Sequence, residues 1–132
     1  MTMRVVVLGA GGIGAGIGGL LAASGVETVL IARGAHAAKM AAEGLTLRTP
    51  STDILVTATV VTHPAAVDWR DGDVVLLATK LGDAEAALDT LLAASGRDVM
   101  VVTAQNGLAG GRLARARFAT VIEMMVWMPA VF

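Results

Sequence analysis

The chain has 132 residues, 55% hydrophobic and 3% aromatic, with a formal net charge of −1 at pH 7. That suits one domain with a core of Val, Leu, Ile, Ala and Met, and it offers no basic patch of the kind that nucleic acid requires. Cysteine is absent, which fits the cytoplasm and excludes a disulfide framework, a thiol nucleophile and thiolate-bound metals; the two histidines lack HxxxH or HxH spacing, so no metal site is expected.

The first element is read from "RVVVLGAGGIGAGIGGLLAASGVE", where 22 residues between Arg4 and Glu27 carry no charge. A run of about 20 such residues is long enough to cross a bilayer, and a basic residue before an apolar run also resembles a secretion signal. Glycine argues against both, because eight of the 22 are Gly and each costs a helix about 0.8–1 kcal/mol relative to Ala. The apolar residues are better divided into a β-branched strand at Met3–Leu8, a glycine turn, and a helix over Gly12–Ala23 with Ile13, Ile17, Leu20 and Leu21 at helical spacing.

Further strands are predicted at Thr28–Ala32, Asp53–Val61, Asp73–Ala78, Val99–Thr103 and Thr120–Met128. Helices are predicted at Ala35–Glu43, Asp83–Ala94 and Ala109–Phe118. "GLTLRTP" (44–50) reads as a short strand entering a hairpin through Pro50 and Ser51. Runs such as "VVVLG" and "DVVLLAT" suit strands covered on both faces, as in parallel sheets. Strand and helix in alternation imply an α/β layered fold.

"GAGGIG" (9–14) matches GxGxxG, and its setting between a strand and a helix is the one in which that pattern binds a pyrophosphate. Gly9 permits the turn, Gly11 lets backbone N–H groups approach the phosphates, and Gly14 lets the helix sit close on the sheet with its N-terminus facing the anion. Gly18, one turn on, extends that approach. The alternative is a tight turn with no ligand. At the end of the second strand, where NAD-binding folds usually carry a carboxylate, the sequence places Arg33. A guanidinium there pairs with a 2′-phosphate and favours NADP over NAD. His36 and Lys39 either add to that positive field or are solvated residues of an amphipathic helix.

Ligands of open parallel sheets bind beyond the carboxyl ends of the strands. The polar residues delivered to that edge are Lys80, after "DVVLLAT", and Gln105 and Asn106, after "VMVVTA". Lys80 has an ordinary exposed lysine as its alternative, and Asn106-Gly107 a common turn dipeptide. Neither Lys80 nor Asn106 is a convincing general acid.

Taken together, "VVVLGAGGIGAGIGGLLAASG", "LIARGAHAAKMAAEGLTL", "VVLLATK" and "AQNGL" resemble, in order and spacing, the ketopantoate reductase (2-dehydropantoate 2-reductase) family over essentially the whole chain. The resemblance implies a Rossmann-type, doubly wound, mostly parallel sheet with helices on both faces. It implies that Gly9, Gly11, Gly12, Ile13 and Gly14 line the pyrophosphate and that Arg33 meets the 2′-phosphate of NADP(H). Lys80 and Asn106 would then sit by the nicotinamide ribose and a small 2-keto acid substrate and position both. The implied reaction is NADPH-dependent reduction of ketopantoate to pantoate, in pantothenate biosynthesis.

Members of that family are more than twice as long. Residues 1–132 therefore correspond to one dinucleotide-binding domain, and the helical substrate domain, with the family's general acid, is missing from this sequence. The isolated chain is expected to be inactive and to self-associate through its uncharged end, "MMVWMPAVF", or to need a partner chain that supplies the second domain. Two rival readings remain. A stand-alone NAD(P)-sensing module would more often carry an acid at Arg33 and would not need Lys80 with Asn106. A different dehydrogenase type would share the glycine loop without the "QNG" segment.

Overall fold

The computed structural model describes residues 3–105 and 108–126. In chain order the elements are β1 (Arg4–Leu8), α1 (Gly12–Ala23), β2 (Glu27–Ile31), α2 (Gly34–Glu43), β3 (Leu45–Arg48), β4 (Asp53–Val56), β5 (Thr59–Val61), β6 (Val74–Leu77), α3 (Leu81–Ser95), β7 (Met100–Thr103), α4 (Ala109–Arg115) and β8 (Val121–Glu123). A single 3-10 turn, Pro64–Ala66, lies between β5 and β6. The uncharged stretch thus divides into strand, loop and a 12-residue helix. Among the described residues no helix is long and apolar enough to cross a membrane.

Six strands form one sheet in the order β5-β2-β1-β6-β7-β8, and every pairing is parallel. Counting only these six, the order is 3-2-1-4-5-6, that of the Rossmann fold. β1 is central and buried throughout. Its side chains alternate between two apolar layers, as the pleat demands. Val6 and Leu8 face Leu88, Leu91, Ala114 and Phe118 from α3 and the α4 region. Val5 and Val7 face Ala15, Ala37 and Met40 from α1 and α2, with Leu45 of β3. Helices therefore cover both faces, which is why the central strands tolerate no polar alternation.

The hairpin predicted from "GLTLRTP" is present as an antiparallel pair, β3 with β4. The predicted strand Asp53–Val61 is corrected: it breaks after Val56, with β4 in the hairpin and β5 against β2 in the main sheet. Thr57 and Ala58 make the passage, so one extended pattern serves two different partners. The helix predicted to reach Phe118 ends at Arg115, and Phe118 turns back so that its N–H donates to the Ala114 carbonyl. Of the predicted strand Thr120–Met128, residues 120–126 are described and Val121–Glu123 among them is strand; residues 127–132, part of the uncharged end, lie outside the described residues.

The amino edge of the sheet carries a feature that periodicity did not disclose. Arg4 and Asp73, side by side at the starts of β1 and β6, are buried as an ion pair. Arg4 Nε donates to Asp73 Oδ1 at 3.0 Å and Nη2 to Oδ2 at 2.6 Å. Nη2 also donates to the Asp68 carbonyl at 2.7 Å, and the Arg70 N–H donates to Asp73 at 2.9 Å. Both charges are thus hydrogen-bonded, which burial at this depth requires.

Candidate dinucleotide-binding site

The register aligns the carboxyl ends of the strands. Leu8 lies beside Ile31 on one side and Leu77 on the other, Leu77 beside Thr103, and Thr103 beside Glu123. One more rung of hydrogen bonds follows, from the N–H groups of Gly9, Ala78, Ala104 and Met124. The residues just beyond that rung therefore share one edge. The loops after β1 and β6 leave in opposite directions across the sheet, which makes the crevice between them the topological switch point.

The glycine loop is built by contacts that only glycine allows. Gly9 has φ +97°, and a Cβ there would lie 2.8 Å from the Thr79 nitrogen and 2.9 Å from its Cγ2. A Cβ on Gly14 would overlap the Gly9 carbonyl oxygen and stand 3.0 Å from the Ala78 Cβ. Gly18 continues the close approach, against Leu30 and Val7 of the sheet. Gly11 is different: it is exposed, and a Cβ there would meet nothing within 4 Å. The loop is thus packed tightly beneath and open above, over Gly11, Gly12 and Ile13.

Gly11 is the N-cap of α1, with no side-chain cap and no acidic residue in the first turn. Among the described residues the N–H groups of Gly11, Gly12, Ile13 and Gly14 donate to no backbone acceptor outside the helix. Uncapped donors together with the positive end of the helix dipole suit an anion. The open space above Gly11 is where a pyrophosphate would fit.

Two cations flank this loop. Arg33 follows β2 and is the N-cap of α2; Lys80 follows β6 and is the N-cap of α3. Both are exposed, and neither forms an ion pair among the described residues. The other arginines of the described surface include Arg70 with Glu27, Arg115 with Glu123, and Arg117 with Glu85 and Asp89. Lys39, on α2, is likewise exposed and outside these ion pairs.

Two polar side chains brace the loops of this edge. Gln105 Nε2 donates to the Thr79 carbonyl at 2.5 Å and reaches the Thr79 hydroxyl at 3.3 Å. Its Oε1 is buried without a partner among the described residues, pressed where a Cβ on Gly110 would fall. Thr79, which also abuts Gly9, therefore joins the loops after β1, β6 and β7. The second brace is His36, whose Nε2 lies 2.7 Å from the Ala10 carbonyl inside the glycine loop. His36 is therefore neither a bare positive charge nor a merely solvated helix residue.

The sequence delivered Gln105 to this edge without a role, and it passed over Thr79 altogether. Thr79 follows a buried strand as Lys80 does, so the same reasoning, applied to small polar residues, reaches it. Asn106 lies outside the described residues. The structure brings together Gly9, Gly11, Gly12, Ile13, Gly14 and Lys80 across the crevice, with Arg33 at the end of the next strand.

Comparison with known proteins places this edge in context. The family model for ketopantoate reductase PanE/ApbA matches residues 5–131. A 2-dehydropantoate 2-reductase of Pyrococcus horikoshii is 33% identical over 106 residues, covering 80% of this chain and 34% of the relative. The crystal structure of a PanE/ApbA family ketopantoate reductase from Ralstonia eutropha superposes with a TM-score of 0.88 at 33% identity, over 96% of this chain and 42% of that one. A 2-dehydropantoate 2-reductase from Porphyromonas gingivalis gives a TM-score of 0.77 at 32% identity, over 93% and 46%. The chain spans between a third and a half of the length of these relatives and shares the fold of the part it matches. With the family model covering nearly all of it, the chain belongs to the ketopantoate reductase family of oxidoreductases.

Proposed function

We propose that this chain is the NADP(H)-binding part of a reductase that converts a 2-keto acid such as ketopantoate to the 2-hydroxy acid. One observation carries the reading: the open, uncapped glycine loop stands on the same sheet edge as two cations, Arg33 and Lys80, that form no ion pair among the described residues. Arg33 at the end of β2 is suited to a 2′-phosphate, whose oxygens its forked guanidinium donors match. The N–H groups of Gly11, Gly12 and Ile13 would hold the pyrophosphate.

A bound nicotinamide supplies the hydride. Lys80, beyond β6 at the switch point, holds a positive charge beside the position of the nicotinamide ribose and substrate, where it can orient a keto acid carboxylate or carbonyl. Asn106, by its place in "AQNGL", would share that task. Neither is assigned as the proton donor: Lys80 is exposed rather than desolvated, and a carboxamide is not an acid near neutral pH. The group that protonates the product oxygen is therefore assigned to a second domain.

The test is direct. The 132-residue chain should bind NADPH more tightly than NADH in calorimetry and yet show no turnover of ketopantoate. Turnover should appear when the chain is joined to, or mixed with, the remaining part of a longer relative. Failure to bind either cofactor would refute the proposal. Turnover by the isolated chain would refute the assignment of the acid, and Lys80→Met would be the next variant to assay.

A further inference from the structure

We infer that His36 is a positioning residue for the pyrophosphate, acting through the Ala10 carbonyl rather than on the ligand itself. The inference rests on the dinucleotide site proposed above and adds a role for α2 in it.

The geometry begins with one peptide. No cis peptide bond occurs among the described residues, so the Ala10–Gly11 unit is trans and its carbonyl and N–H point to opposite sides. His36, half-buried one turn into α2, donates from Nε2 to the Ala10 carbonyl at 2.7 Å. The Gly11 N–H is thereby aimed away from α2. That N–H donates to no described backbone acceptor, and the space above Gly11 is open.

A glycine-rich loop needs such a brace. Rotation of the Ala10–Gly11 plane turns on φ of Gly11, where glycine accepts either sign, and Gly9 and Gly12 flank the unit, so local sterics restrict that rotation weakly. Rotated, it would present a carbonyl oxygen to an anion instead of a donor. Contacts below the loop fix Gly9 and Gly14 but not this peptide. The imidazole fixes it from the side, at a cost in entropy met during folding and not on binding.

A consequence is that α2 serves both ends of the adenosine diphosphate moiety. Its N-cap, Arg33, is the partner of the 2′-phosphate, and His36 three residues on sets the loop for the pyrophosphate. Three ligands separate these contributions: NADPH, ADP-ribose, which has the pyrophosphate but no 2′-phosphate, and 2′-AMP, which has only the latter.

His36→Leu should weaken NADPH and ADP-ribose by a similar factor, about three- to tenfold, the worth of one hydrogen bond. Binding of 2′-AMP, followed by NMR titration, should be unchanged. His36→Gln, whose amide can reach the same carbonyl, should restore most of the loss. Equal weakening of all three ligands by His36→Leu would show a general displacement of α2 and overturn the inference. So would loss confined to the two ligands with a 2′-phosphate, which would place His36 on that phosphate directly. Unchanged binding of all three by His36→Leu would overturn it while leaving the NADP(H) site intact. If the wild-type chain binds none of the three, the site itself is refuted and this inference with it.

Discussion

Two glycines of one loop, Gly14 and Gly11, should separate folding from binding, since a Cβ would be blocked at the first and free at the second. A methyl on Gly14 overlaps the Gly9 carbonyl oxygen and presses on Ala78. Gly9 cannot yield, because its own φ of +97° and its contact with Thr79 hold it. Helix α1 must therefore lift from the sheet, an overpacking that costs about 1–3 kcal/mol, offset by up to about 1 kcal/mol of better helix propensity in alanine. Gly14→Ala should accordingly lose roughly 1–2 kcal/mol, or about 4–8 °C in Tm for a domain of this size. At Gly11 the backbone is φ −74°, ψ −162°, open to any L-residue, and a Cβ meets nothing within 4 Å. Gly11→Val should cost less than about 1 kcal/mol as a poorer N-cap and yet abolish NADPH binding, since its methyls occupy the space over the helix N-terminus. Urea denaturation and calorimetry on both variants would check this. Normal NADPH affinity in Gly11→Val would reduce the loop to a βα turn and refute the reasoning, as would a Gly14→Ala protein as stable as wild type.

Arg33→Asp should reverse the preference for NADPH over NADH by tenfold or more, because a charge-assisted pair is replaced by like charges; equal affinities of the wild type for the two cofactors, by calorimetry, would refute the role of Arg33. Acid should destabilise the protein through Asp73: burial alone would raise its carboxyl, but the Arg4 hydrogen bond, the Arg70 N–H and their charges outweigh this and hold it below the ordinary 3.8. The stabilisation is complete above that ordinary value and is lost as pH falls through the lower folded one, so Asp73→Asn should flatten the acid limb of a pH–stability profile while costing about 3–5 kcal/mol at neutral pH.

Where a function depends on a continuous stretch, the sequence discloses it. The glycine loop needs a strand, a turn and a helix in succession, and all three lie within residues 4–23. Arg33 and Lys80 are proposed from position alone, as polar residues following buried strands. Partner choice is less visible. The apolar pattern over Asp53–Val61 reports extended backbone and nothing about neighbours, so the change from β3 to β2 at Thr57 left no trace in it. Phe118 fell at helical spacing because it is buried, yet it reaches the core from a turn beyond α4.

The contacts that periodicity misses are those between polar groups far apart in the chain. His36 and Ala10 are 26 residues apart, Gln105 and Thr79 also 26, and Arg4 and Asp73 are 69 apart. A parallel sheet produces such pairs because each crossover returns the chain to the same edge, so residues separated by a whole βα unit become neighbours. The two edges then use charge in opposite ways. At the amino edge Arg4 is buried and satisfied by Asp73 and the Asp68 carbonyl, and its charge serves the fold. At the carboxyl edge the polar bonds go to holding backbone, through His36 and Gln105, while Arg33 and Lys80 form no ion pair among the described residues. An acidic residue placed beside Arg33 would gain at most about 1 kcal/mol as an exposed pair. On the proposed NADP(H) reading it would also compete with the 2′-phosphate for the same guanidinium, and without it the fold forgoes little stability.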